Sequence, residues 1–367
     1  MKRLGISIYN DKASLQENKA YIDLASKAGF SRIFSCLLSI DVGQKDHVIK
    51  ELREVNDYAK AKGLEVILDV NPRVFQELNI SYKDLSFFQQ AGADGIRLDI
   101  GFTGAEEALM TFNPEGLSIE INMSIDTHAI ATIMDYMPNL NRLIGCHNFY
   151  PHRFTGLTEP FFLKTSQAFK SYGLRTAAFV SSSTATFGPW AIMEGLPTLE
   201  LHRALPIDVQ AKHMILLNGL IDDVIVSNCF ASQQELELLG KLNKDYVEFA
   251  IELTPNLPQT ERNILLEELH VRRGDSNAYV IRSTQSRVKY KGHSFDAFHT
   301  PNIKRGDVVI ETSEYGHYAG EVQIALQDMP NSGKSNVVAR VREDELFLLD
   351  RLQPWQKFGF VLLPTTR

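Results

Sequence analysis

Short β-branched and aliphatic runs alternate with longer stretches of helical period through the first two thirds of the chain. The runs fall at residues 4–9, 32–38, 65–71, 95–100, 118–124, 142–150, 175–182 and 222–228, each of strand length. Between them lie amphipathic stretches, among them 14–28, 46–62, 82–91 and 158–172, with apolar residues at helical spacing. Gly29, Gly63, Gly92 and Gly173 each stand shortly before the next run, where a helix ends on a left-handed residue that glycine adopts without steric cost. Eight regular β-then-α units within the first 250 residues predict a (β/α)8, or TIM, barrel of the α/β class. A doubly wound sheet is the alternative, although it seldom needs eight such regular units.

The pattern changes at Thr254-Pro255-Asn256-Leu257-Pro258, which reads as a linker. Beyond it come a helix-like stretch at 261–269 and β-rich runs at 278–283, 307–311, 321–326, 336–342 and 358–363. Turn signals separate them, including Arg305-Gly306-Asp307 and Pro330-Asn331-Ser332-Gly333. The expectation is a catalytic barrel over residues 1–250 and a small, mostly β barrel over 251–367. A length of 367 residues suits two cores rather than one.

Composition narrows the function. A net charge of -7 argues against a broad nucleic-acid surface, while leaving room for a local pocket of two or three cations. No run approaches the roughly 18–20 apolar residues that span a bilayer, so no membrane partner is expected. The apolar N-terminal stretch is soon interrupted by Asn10, Asp11 and Lys12 and is too short for a signal segment. Cys36, Cys146 and Cys229 are odd in number and far apart, which suggests no disulfide framework; the expected compartment is the cytoplasm. Glycine-rich dinucleotide and phosphate loops, HExxH and CxxC are all missing from the sequence, so no cofactor is expected.

In a barrel of this kind the working groups sit at the C-terminal strand ends, and residues two apart share a strand face. The fourth run, Ile96-Arg97-Leu98-Asp99-Ile100, then turns Arg97 and Asp99 inward. The fifth turns Glu120, Asn122 and Ser124 inward, and the third turns Asp69 and Asn71. Asp69, Asp99 and Glu120 are therefore expected to converge, with Arg97 among them. Burying three carboxylates would cost several kcal/mol unless they are paired. A purely structural ion-pair network is one reading; a working mouth, in which Arg97 keeps one carboxylate ionised while a more buried one stays protonated, is the other.

The sixth run leads into His147-Asn148-Phe149-Tyr150-Pro151-His152-Arg153, which offers hydrogen bonds, rings for stacking and an anion contact. A lone strand histidine is more often a satisfied core residue, so both readings of His147 stand. The seventh ends in Ser181-Ser182-Ser183-Thr184, near Trp190, where barrels of this class often bind phosphate. Glu200, His202 and Arg203 lie in the long connection that follows, either closing over a ligand or forming a solvated loop.

Several stretches resemble the MupG-like 6-phospho-N-acetylmuramidase family. They are Leu4-Gly5-Ile6-Ser7-Ile8-Tyr9, Phe30-Ser31-Arg32-Ile33-Phe34, Gly92-Ala93-Asp94-Gly95-Ile96-Arg97-Leu98-Asp99, Gly145-Cys146-His147-Asn148-Phe149-Tyr150-Pro151, Leu220-Ile221-Asp222-Asp223-Val224 and Glu268-Leu269-His270-Val271-Arg272-Arg273-Gly274-Asp275. The resemblance implies a TIM barrel followed by a cyclophilin-like β barrel. It also implies cytoplasmic hydrolysis of MurNAc 6-phosphate linked β-1,4 to GlcNAc during cell-wall recycling.

Glycoside hydrolysis needs two carboxylates, and Asp99 with Glu120, supported by Asp69, are the expected pair. Arg97, Arg153 and Arg203, with the hydroxyls from Ser181 to Thr184, are the expected receivers for phosphate and lactyl carboxylate. Phe149, Tyr150 and Trp190 are placed to stack on sugar rings, with Asn122, Asn148, Glu200 and His202 as further contacts. On this reading Asp99→Asn and Glu120→Gln each cut turnover and leave the fold intact. Two other classes remain open: a metal-dependent sugar-phosphate isomerase or epimerase using Glu120, Asp99 and His147, and a non-enzymatic sugar-phosphate sensor.

Overall fold

The computed structural model describes residues 2–37 and 45–363, so Leu38, the expected end of the second strand, lies outside the described residues. Eight strands form the first sheet: β1 (Arg3–Ile8), β2 (Arg32–Cys36), β3 (Glu65–Val70), β4 (Gly95–Leu98), β5 (Ser118–Asn122), β6 (Leu143–Cys146), β7 (Arg175–Val180) and β8 (Asp223–Val226). They pair in chain order and close into a barrel, with β8 parallel to β1 through Leu4 opposite Val224. This is the TIM barrel that the alternation of strand-like and helical stretches predicts.

Local chemistry sets the boundaries. The helix Leu15–Lys27 starts at Ser14, whose hydroxyl caps the Glu17 N–H while the Glu17 carboxylate returns to the Ser14 N–H, satisfying two otherwise orphaned donors. Gly29, Gly63 and Gly173 have φ of +82°, +82° and +73°, and a Cβ there would meet nothing within 4 Å. Conformation rather than crowding makes glycine the fitting residue at these positions.

Two expected elements are shorter than their patterns. The stretch 82–91 is helical only over Ser86–Gln90, because Ser81 and Asp84 accept backbone N–H bonds from Lys83 and Ser86 and favour a turn instead. The sixth strand stops at Cys146. Beyond it the Asn148 N–H turns to the Ser124 hydroxyl and the Tyr150 N–H to the Pro197 carbonyl, so residues 147–150 become part of the rim.

One compact unit takes in Met1–Met214 and Asn218–Leu242, the other Ile215–Leu217 and Asn243–Arg367. The second holds β9 (Val247–Leu253), β10 (His270–Val271), β11 (Val280–Ser283), β12 (Asp307–Glu311), β13 (Val322–Ala325), β14 (Ser335–Val341) and β15 (Lys357–Leu362). Their order is β10-β15-β9-β14-β12-β13-β11. The pairing of β15 with β9 is parallel and the rest are antiparallel. The end strands β10 and β11 approach each other, so the sheet is nearly closed. Strand β9 precedes the proline-flanked stretch at 254–258, and the chain therefore enters the second unit earlier than that stretch suggests.

The interior of the first barrel is unusual. Where aliphatic layers normally fill such a core, charged side chains link strand to strand. Arg3 binds both oxygens of Asp223, at 2.9 and 2.7 Å, and Glu65 at 2.7 Å. Arg175 reaches Glu65 at 3.0 Å. Arg32, 1% exposed, joins Asp223 at 2.6 Å and also bonds Glu120.

Candidate active site

Strands β3, β4 and β5 bring Asp69, Arg97 and Glu120 level with one another, since Asp69 is registered with Arg97 and Arg97 with Glu120. Arg97 is the hub. Its Nη1 donates to Asp69 Oδ1 at 2.5 Å and to Asp99 Oδ1 at 3.3 Å. Its Nη2 donates to Asn148 Oδ1, and its Nε lies 4.0 Å from Glu120 Oε1. The expected convergence is therefore present, but the three carboxyl groups differ in access. Asp99 keeps 30% of its side chain exposed, Asp69 4% and Glu120 none. Glu120 is enclosed between Arg32 and Arg97.

Burial pushes the Asp69 carboxyl up to about 7, with the negative Asp99 and Glu120 adding to it, although Arg97 pulls the other way. The net direction follows from geometry: one guanidinium nitrogen is shared by two carboxyl groups, and the deeper one has lost its water. Asp69 and Asp99 thus share one guanidinium nitrogen, and the deeper carboxyl is the one whose proton affinity burial raises.

The surrounding polar groups mostly shape this pair. Asn122 Nδ2 donates to the Asp99 carbonyl at 3.0 Å and its Oδ1 accepts the Ser124 N–H at 2.9 Å. Tyr150 is half-buried at the rim, and burial raises its phenol despite a hydrogen bond with Ser124. Phe149 packs edge-on against Phe34 and Phe179, with centroids 5.9 and 5.0 Å away. It belongs to the aromatic floor, and its expected role as a sugar platform is not supported.

His147 takes the bland reading. It is fully buried, stacked on Phe162 at 4.4 Å, with Nδ1 3.1 Å from Ser124 Oγ and Nε2 2.8 Å from Ser166 Oγ. Burial and then Arg97 push it down to about 3, so it stays neutral. Both ring nitrogens are engaged, which removes the histidine that a metal-dependent isomerase would use. Among the described residues no cluster of three or more His, Cys, Asp and Glu has the geometry to hold a metal ion.

A cavity of about 730 Å3 opens beside the ends of β7 and β8, lined in part by Arg153, Ser181–Ser183, Arg203 and Asn228. Its expected anion receivers are largely engaged by the protein itself. Ser182 Oγ, Ser183 N and Thr184 Oγ1 all donate to the Glu235 carboxylate. Burial alone would raise Glu235, but the Thr184 and Ser182 bonds outweigh it and hold it low. Ser181 Oγ accepts the Leu196 N–H at 2.9 Å. Arg203 grips both oxygens of Glu200 at 2.7 Å and bonds the carbonyls of Tyr150, Glu194, Gly195 and His152. Glu200 in turn accepts the Phe154 and Gly156 N–H groups, and with Arg203 these hold it at about 2.

The pair Glu200–Arg203 is thus a clamp between two rim loops. His202 is buried against His213, 2.8 Å away, rather than facing a ligand. Arg153 has 61% of its side chain exposed and only a rim partner, Glu194 Oε1 at 3.1 Å. Trp190 is 52% exposed.

Arg32, Glu65, Arg175, Asp223 and Glu235 were missing from the residues singled out in the sequence. The two-residue alternation that exposes Arg97 and Asp99 on β4 also turns Arg32 inward on β2 and Asp223 on β8. Glu235 follows Ser232 by three residues, the spacing of a capping box.

A (β/α)8 barrel whose mouth holds a buried and an open carboxyl group on one guanidinium has the kind of side chains that carboxylate acid–base chemistry uses. Residues 4–241 match the family described as 6-phospho-N-acetylmuramidase, N-terminal, and residues 247–361 the one described as 6-phospho-N-acetylmuramidase, C-terminal. The chain belongs to the 6-phospho-N-acetylmuramidase family and is a glycosidase, which excludes the reading as a sensor without activity. It is similar to an uncharacterized B. cereus protein of known structure, with 46% identity over 98% of this chain and 99% of that one and a TM-score of 0.90. It is also similar to a conserved Enterococcus faecalis protein of unknown function, with 25% identity over 99% and 97% and a TM-score of 0.70. No curated protein matches the chain. Among the described residues no helix is long and apolar enough to cross a membrane.

Proposed function

We propose that the chain hydrolyses the β-1,4 bond between MurNAc 6-phosphate and GlcNAc, in the cytoplasm, during cell-wall recycling. The observation that carries the mechanism is the single Arg97 Nη1 shared by Asp69 and Asp99. Asp69, held near 7, keeps a proton to give. It passes that proton to the glycosidic oxygen as the bond to C1 breaks, and GlcNAc leaves. The Asp99 carboxylate, open to the mouth, bonds to C1. Water then attacks C1, returns its proton to Asp69, and releases MurNAc 6-phosphate from Asp99.

The spacing supports retention of configuration. Two Oδ1 atoms bonded to one nitrogen at 2.5 and 3.3 Å cannot lie further apart than those lengths combined. That is short of the ~6.5–9.5 Å that leaves room for an inverting water and compatible with the ~5–5.5 Å of a retaining pair. Glu120, enclosed beneath Arg97, acts in this scheme by positioning the guanidinium. Arg153 and the cavity beside it receive the phosphate, with Trp190 at the rim.

The test is a product assay by NMR on the 6-phosphorylated disaccharide and its unphosphorylated counterpart. The expected result is release of the β-anomer of MurNAc 6-phosphate, a kcat/KM at least about 100-fold lower without the phosphate, and loss of most of that preference in Arg153→Ala. Equal cleavage of both sugars refutes the phosphate cavity; initial release of the α-anomer refutes the nucleophilic role of Asp99.

A further inference from the structure

The second unit contains a cavity that the barrel chemistry does not use. It measures about 260 Å3 and is lined by Arg282 of β11, Glu311 of β12, Gln323 of β13, and Tyr315 and Tyr318 of the turn that follows β12. The tyrosines stand at its rim, 38% and 44% exposed, on either side of a kink at Gly316 with φ of +55°. At the base lies Glu311, 7% exposed. Ser335 Oγ donates to its Oε2 at 2.6 Å.

The strong charges around this cavity are largely engaged with one another. Glu321, fully buried, takes Arg282 Nε at 2.7 Å and Nη2 at 3.2 Å, and Arg287 Nη1 lies 3.1 Å from it. Both guanidiniums stand over the Tyr318 ring, 5.7 and 5.5 Å from its centroid, while Asp275 lies 3.7 Å from Arg282. Lys334 sits over the Tyr315 ring at 5.9 Å. A small anion meets the buried Glu321 here, and a small cation meets Arg282 and Lys334, so neither charge is favoured.

Glu311 itself is pushed up to about 7, by burial first and then by Glu321, against the Ser335 bond and Arg282. In its protonated form the carboxyl both donates and accepts hydrogen bonds. The Gln323 amide does the same. What remains is a pocket whose charges are mostly paired, with donors and acceptors on its floor and two aromatic edges at its mouth, which is a usual make-up of a small-ligand site.

We propose that this cavity is a carbohydrate-binding site that takes one pyranose ring. Vicinal hydroxyls bond Glu311 and Gln323, a further oxygen accepts from Arg282, and an apolar ring face lies against Tyr315. The size restricts it to a single sugar, since it falls just below the ~300 Å3 at which drug-sized ligand pockets begin.

The test titrates the full chain with N-acetylglucosamine and with methyl β-glucopyranoside, followed by saturation-transfer NMR and calorimetry. Saturable binding in the millimolar range is expected for at least one of them, weakened about tenfold or more in Glu311→Leu and about threefold or more in Gln323→Leu. Tyr315→Ala, on the half-exposed rim, decides the matter should the floor variants fail to fold, and it too weakens binding about threefold. Affinity unchanged in Tyr315→Ala, or no saturation by about 50 mM of either sugar, overturns the assignment.

Discussion

Asp69→Asn separates the catalytic value of this carboxyl from its cost to the fold. An acid whose proton affinity is higher in the folded than in the unfolded chain contributes stability that is fully present at low pH and is lost as pH rises through the folded value. For Asp69 that window runs from the ordinary 3.8 up to about 7. Each tenfold change in proton affinity is worth about 1.4 kcal/mol, so ionising Asp69 in place costs about 4 kcal/mol by pH 8. Asparagine keeps the shape and cannot ionise.

Urea unfolding of both proteins at pH 5 and pH 8 measures this. The wild type is expected to lose a few kcal/mol more than Asp69→Asn between those values, while the variant loses turnover by about 1,000-fold or more. Other groups cancel in the comparison. Glu311, also near 7, is common to both proteins, and Asp223 and Glu200, held near 2, change their contribution only at lower pH. Parallel stability profiles for the two proteins would refute the raised proton affinity of Asp69, and with it the assignment of the acid.

Asp99→Asn removes the accessible carboxylate; turnover should fall about 1,000-fold or more with the urea midpoint almost unmoved, and near-wild-type turnover excludes Asp99 as nucleophile. Glu120→Gln leaves Arg32 and Arg97 short of a buried counter-charge. Loss of one partner from a buried pair costs about 3–5 kcal/mol, so this variant should be strongly destabilised by thermal unfolding, contrary to the expectation of an intact fold. Wild-type stability in Glu120→Gln would show that Glu120 does not anchor the arginines.

The barrel was legible because eight β-rich runs alternate with helical periods, several of which end on a closing glycine. At the mouth, alternation along a strand placed Arg97, Asp99, Asp69 and Glu120 on one face, since direction follows from backbone geometry. Depth does not. Glu120 and Asp99 look equivalent as inward carboxylates on neighbouring strands, yet the first pairs with Arg32 beneath the mouth and the second ends at solvent. The rim was less readable still. Ser182, Thr184 and Arg203 have the composition of an anion site, and only the folded chain reveals that Glu235 takes the hydroxyls and that the Glu200–Arg203 pair fastens loops. Bonds from far along the chain, such as those of Ser182 and Thr184 to Glu235 and of Arg203 to the Tyr150 carbonyl, complete these groups.

The charges inside the barrel act beside burial on the raised proton affinity of Asp69. Four guanidiniums, of Arg3, Arg32, Arg97 and Arg175, face five carboxyl groups, of Glu65, Asp69, Asp99, Glu120 and Asp223. One carboxyl is in excess. Asp223 is within reach of three arginines and Glu65 of two. Glu120 has Arg32, and Asp99 keeps 30% of its side chain exposed. Asp69 is buried and must share Arg97 with Asp99, so it is the place where protonation relieves most repulsion for the least loss of pairing. Burial sets its raised proton affinity first, Arg97 opposes it, and Asp99 and Glu120 add to it, so Arg32 bears on Asp69 only through the Glu120 that it holds in place.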